Sequence, residues 1–165
     1  MDMHLHGRQW IPGSPDWAAA AIGGFIAGAV LMVIELLWSA GNSASSTWTA
    51  SHMVAGIAMG ADVAGGTGFD VVVVAVALVT HYVLGIVFGL ILAAFMAPFH
   101  LDASIGMTLA TGAVAGVLLY LFNFHGMTLF FPWFAAMRGG STLLAHMIFG
   151  IVAAWMYLQL ERRPH

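Results

Sequence analysis

Four stretches of this chain, Trp17–Trp38, Phe69–Ala97, Ser104–Phe124 and Ser141–Leu160, run almost without charge for the length of a bilayer-crossing helix. Such a helix needs about 20 consecutive apolar residues. Only 7% of the 165 residues are charged and 61% are hydrophobic, against a charged share of about 25% in ordinary soluble domains. A water-facing surface cannot be built from so few charges, so lipid must solvate most of the molecule. The length leaves room for one compact unit. The expected fold is an all-α membrane protein, a four-helix transmembrane bundle spanning residues 17–160. Pro12 and Pro15 precede the first span, Pro98 ends the second, and a short turn with His100 and Asp102 leads to the third. The second span exceeds what a bilayer requires, which implies tilt or an extension into the interface.

Outside the spans, residues 1–16 read as a polar, turn-rich leader and 161–165 as a tail. The leader lacks a basic start, a short apolar core and a small-residue cleavage site, so it is not a secretory signal. Its His4 and His6 read as part of a flexible segment rather than a metal site. Arg8 precedes the first span and Arg162 and Arg163 follow the last, against Arg138 alone between the third and fourth. The positive-inside rule then puts both termini in the cytoplasm. Trp10, Trp17, Trp38, Trp48, Trp133 and Trp155 fall mostly near span ends, at headgroup depth. Residues 48–63 are too few to cross and read as a partial helix along the outer surface. Residues 126–140, broken by Pro132 and a glycine pair, read as a second outer interfacial segment.

The spans repeat. The stretch from Thr80 to Val87 (THYVLGIV) matches that from Ala145 to Val152 (AHMIFGIV), aligning His81 with His146 and Gly85 with Gly150. Without gaps, Gly24, Ala27, Gly28, Leu31 and Glu35 align on Gly112, Ala115, Gly116, Leu119 and Asn123. Order is preserved, so the reading is two tandem helical hairpins related by a pseudo-two-fold along the membrane normal. A third match, from Ser51 to Ala58, is treated as coincidence or a remnant. The steps Gly24–Gly28, Gly85–Gly89 and Gly112–Gly116 suit close helix packing.

Ionisable residues within a span are costly, at about 2.5–3.5 kcal/mol even on the lenient insertion scale. Counting 1.5 Å per residue from the inner helix ends puts Glu35, His81, Asn123 and His146 between roughly 20 and 28 Å up. That is one polar layer in the outer half of the membrane, with His125 just above it and Asp70 capping the second span. Glu35, His81, His146, Asn123 and His125 are candidate ligands of a transition metal. Two histidines with glycines beneath them also suit a b-type haem. The same residues equally suit a proton relay, or hydrogen bonds that hold helices together at about 0.6 kcal/mol each.

Several chemistries are excluded or unsupported. There is no cysteine and no lysine, which removes disulfides and thiolate sites and, with a net charge of −3, argues against nucleic acid. No Gly-x-Ser-x-Gly elbow, phosphate-binding loop ending in Lys or His-Glu-x-x-His occurs. The eleven methionines read as packing residues. Phe69-Asp70 with His81 and Gly85, then Leu119-Tyr120, Asn123, Gly126, Phe131-Pro132-Trp133-Phe134, His146 and Gly150 carry a resemblance. In these, the chain resembles small proteobacterial inner-membrane proteins of unknown function, some automatically labelled as transporters. The resemblance implies four helices and a bacterial inner membrane. The first functional expectation is a non-enzymatic accessory subunit of a larger, respiratory or metal-dependent membrane complex, with lipid and other membrane subunits, or its own copies, as partners. The alternatives are an intramembrane metal- or haem-binding protein and a small transporter or channel component.

Overall fold

Three of the four apolar runs begin where a side chain can satisfy the amides that a helix start leaves open. Asp16 does this for α1 (Trp17–Gly41), its Oδ1 accepting from the amides of Ala18 and Ala19 at 3.1 and 3.0 Å. Next among the described residues come α2 (Thr49–Met59) and α3 (Ala61–Ala64). Asp70 caps α4 (Val71–Phe99), accepting from Val72 and Val73 at 2.8 and 3.2 Å. Ser104 accepts from Met107 at the head of α5 (Ile105–Leu121), and α6 runs over Gly140–Leu160. The computed structural model describes residues 14–41 and 46–161. His4, His6, Arg8, Trp10, Arg162 and Arg163 lie outside them, and with them most of the charge argument for orientation.

Four helices are long and apolar enough to span a membrane, so the protein is an all-α, multi-pass membrane bundle. Its spans differ in detail from the sequence expectation. α1 runs to Gly41 rather than Trp38. α4 continues through Pro98, which sits in the last turn and forfeits one helical hydrogen bond. There His100 takes a left-handed conformation (φ 52°), and the amides of His100 and Leu101 close on the carbonyls of Ala97 and Met96. The third span does not stop at Phe124. It widens into a π-helical turn, Phe122–Gly126, and continues as 3-10 helix over Met127–Leu129.

In cross-section the order is α4, α1, α6, α5. α1 packs against both α4 and α6, and α5 packs on α6, whereas α4 and α5 barely touch. The two tightest pairs use glycine for the same purpose. A Cβ on Gly89 would lie 2.7 Å from both the Ala20 carbonyl oxygen and the Gly24 Cα, and one on Gly24 would strike the Gly85 carbonyl. In the other pair a Cβ on Gly112 would strike the Gly150 carbonyl, and one on Gly150 would lie 2.8 Å from the Gly116 amide nitrogen. Backbones meet here with no side chain between them. The α1–α6 seam is also made of small residues, Gly23 lying against the Ala153 carbonyl. At the aligned positions of α5 and α4 stand Thr111 and Phe88, whose bulk prevents the same approach.

α2 packs on α4 through Ala55, Val73 and Ala77. His52, nearly buried, ties α2 to the following loop, its two ring nitrogens each 2.9 Å from a carbonyl oxygen, of Val63 and Gly68. Gly66 leaves the space that this ring occupies.

Candidate functional site

Glu35 on α1, His81 on α4, Asn123 on the π-turn and His146 on α6 line one cavity of about 170 Å³. One polar residue thus comes from each span. The remaining walls are apolar and strongly aromatic, including Phe88, Phe122, Phe124 and Phe149. Helix pitch alone sets much of this: Leu31 and Glu35 are one turn apart on α1, as are His81 and Gly85 on α4, and all four residues face the space. Asn123 gets there by a different route. The wider π-turn inserts extra backbone at that point of the third span, a feature often found at functional sites. The turn's end is fastened by Arg138, whose Nε donates to the Phe124 carbonyl at 2.6 Å and whose guanidinium also donates to the Thr128 hydroxyl at 3.1 Å.

The two histidines are held in defined tautomers. His81 Nε2 lies 2.9 Å from the Gly28 carbonyl oxygen on the neighbouring α1. His146 Nδ1 lies 2.9 Å from the Thr142 carbonyl oxygen one turn back on its own helix. A carbonyl can only accept, so each of these nitrogens carries the proton. In the neutral ring, Nδ1 of His81 and Nε2 of His146 are then left as acceptors. His146 is further fixed by edge contacts with Tyr120 and Phe124, at centroid distances of 6.2 and 5.2 Å. No side-chain nitrogen or oxygen among the described residues is both sealed off and unpaired. The two acceptor nitrogens are therefore not sealed off, and both rings line the cavity.

The cavity's roof comes mostly from the two segments outside the helical spans. α2 supplies Val54 and Ile57, while Met127, Phe131, Phe134 and Met137 come from the stretch after the π-turn, which includes a 3-10 helix over Pro132–Met137. The two halves of the roof are joined by a hydrogen bond from Trp133 Nε1 to the Met53 carbonyl at 3.0 Å. Gly56 lets the Trp133 ring sit against α2. The aromatic weight of residues 126–140 was the sequence signal for this contribution, but it placed the segment only in the interface, not over a site.

Two further spaces adjoin the cavity. Glu35, Val54 and His81 also line a second one of about 210 Å³, which reaches Thr47, Trp48 and Ser51 at the same end of the bundle. On the opposite flank, between α4 and α5, lies a groove of about 680 Å³. Phe88, Leu119, Phe122 and Phe149 line both this groove and the cavity.

Of the five candidate ligands, the structure brings Glu35, His81, Asn123 and His146 to one cavity. His125 is exposed instead, its ring edge 5.6 Å from Tyr120 and outside the cavity lining. The π-turn that directs Asn123 inward leaves His125 facing out. Among the described residues no three His, Asp or Glu side chains are grouped closely enough to hold one metal ion. No known family model, curated protein or solved structure matches the chain.

Proposed function

We propose that this protein binds a small organic ligand inside the membrane, in the cavity bounded by Glu35, His81, Asn123 and His146. The observation that carries this reading is the pair of unpaired imidazole acceptors, on rings that line an aromatic-walled space beside a carboxyl and an amide. Polar atoms left unpaired in an apolar setting are costly, and a hydrogen-bonding occupant offsets that cost. A mostly apolar space with a few convergent polar groups is the usual form of a small-molecule site. A metal held by side chains alone is less well supported, because the grouping of three ligands is lacking.

Gentle purification from native membranes followed by native mass spectrometry tests the proposal. The expected result is a stoichiometric small-molecule adduct that the His146→Leu variant loses while keeping its thermal unfolding transition. A Soret band or stoichiometric metal would instead favour the metal or haem reading. A stoichiometric partner protein with an empty cavity would favour an accessory subunit, for which the α4–α5 groove offers an apolar seat. The tandem-hairpin reading is supported by the matched glycine contacts of α1 with α4 and α5 with α6, and a bacterial inner membrane with both termini inside remains part of this proposal.

A further inference from the structure

Resting on that ligand-binding reading, we infer that the ligand is a lipid-borne aromatic diol of the quinol class, its ring in the cavity and its apolar tail in the groove between α4 and α5. The groove opens sideways from the bundle and, apart from Thr111, is lined entirely by apolar residues such as Ile91, Phe95, Val114 and Leu118. It has nothing with which to hold a headgroup. It suits a hydrocarbon tail, and it borders the cavity directly, with Phe88, Leu119, Phe122 and Phe149 lining both. A ligand reaching the polar layer from the bilayer therefore needs a tail on one side and a polar head on the other.

The head is defined by size and by hydrogen bonding. A closed apolar space of about 150 Å³ accepts benzene, so about 170 Å³ is room for one ring. Aromatic walls favour a flat one. His81 and His146, with their other nitrogens committed to backbone carbonyls, offer acceptors from two different helices. Acceptors require donors, and two hydroxyls on one ring supply them. At these two nitrogens the oxidised form, with carbonyl acceptors in place of those donors, would meet lone pair against lone pair, leaving the Asn123 amide to donate. The site thus selects the reduced form.

The test uses the full-length protein in nanodiscs under anaerobic conditions, with decylubiquinol and decylubiquinone as probes and tryptophan fluorescence as the binding readout. Decylubiquinol is expected to bind at least about tenfold more tightly than decylubiquinone, as loss of a buried hydrogen-bond partner implies. A tail-less analogue, 2,3-dimethoxy-5-methylhydroquinone, is expected to bind more weakly than decylubiquinol. Val114→Trp, which fills the groove at an exposed position, should weaken decylubiquinol binding and leave the tail-less analogue unaffected. Equal affinity for the two redox forms overturns the inference. So does tail-independent binding, a groove occupied only by phospholipid, or a second copy cross-linking through Val114→Cys. If no quinol binds while another co-purified molecule occupies the cavity, this inference fails and the ligand-binding reading stands.

Discussion

At the scale of single residues, the glycines at the helix crossings and those elsewhere make opposite demands. Gly150 meets the backbone of Gly112 and Gly116 directly, whereas a Cβ on Gly106 would meet nothing within 4 Å. Gly150→Ala is therefore expected to destabilise the bundle by about 1–3 kcal/mol, the usual cost of overpacking. Gly106→Ala should be neutral or gain up to about 1 kcal/mol of helix propensity. Detergent unfolding of both variants checks the contrast. His81→Phe removes an interhelical hydrogen bond to Gly28 and should cost about 0.6 kcal/mol, a far smaller loss of stability than of ligand. The sequence made the inward residues legible because glycine and polar positions recur at helical spacing. It did not reveal that each histidine spends one nitrogen on a carbonyl, since that depends on which backbone lies opposite.

At the scale of elements, the four spans were readable from apolar length alone, and their ends were less so. Pro98 reads as a stop, yet a proline in the last turn removes only one bond and the helix runs on to Phe99. The π-turn at Phe122–Gly126 had no sequence signal of its own, and it decides which of Asn123 and His125 faces inward. The roof was the least legible part. α2 and the Pro132–Met137 segment are far apart in the chain, and the Trp133–Met53 hydrogen bond and the packing around it make them one cover. Trp133→Phe keeps most of the packing and loses that hydrogen bond. It is expected to raise hydrogen exchange in α2 several-fold while leaving α4 and α6 protected, as mass spectrometry of the two segments would show.

At the scale of the whole molecule, four crossings place the start of α1 and the end of α6 on one side. The Asp16 amide donates to the Tyr157 hydroxyl at 3.3 Å there. The roof lies on the other side. The absence of cysteine gives a clean background for labelling. Ser14→Cys and Glu161→Cys should react from the same face of a sealed vesicle, and Ser46→Cys and Gly139→Cys from the opposite one. A mixed pattern would contradict the fold. The contact between α1 and α6 also bears on how the protein is made. Its first and last membrane helices are neighbours, so the first must wait in the bilayer while more than half of the chain is translated, on the order of ten seconds at ribosomal rates. During that interval Glu35 lacks the wall that His146 and Phe149 supply and has no finished chamber around it. Completion of the last helix is thus the moment at which the protein's interior first comes into being, and an interrupted chain would present a bare carboxyl to lipid, the kind of defect that membrane quality control can recognise.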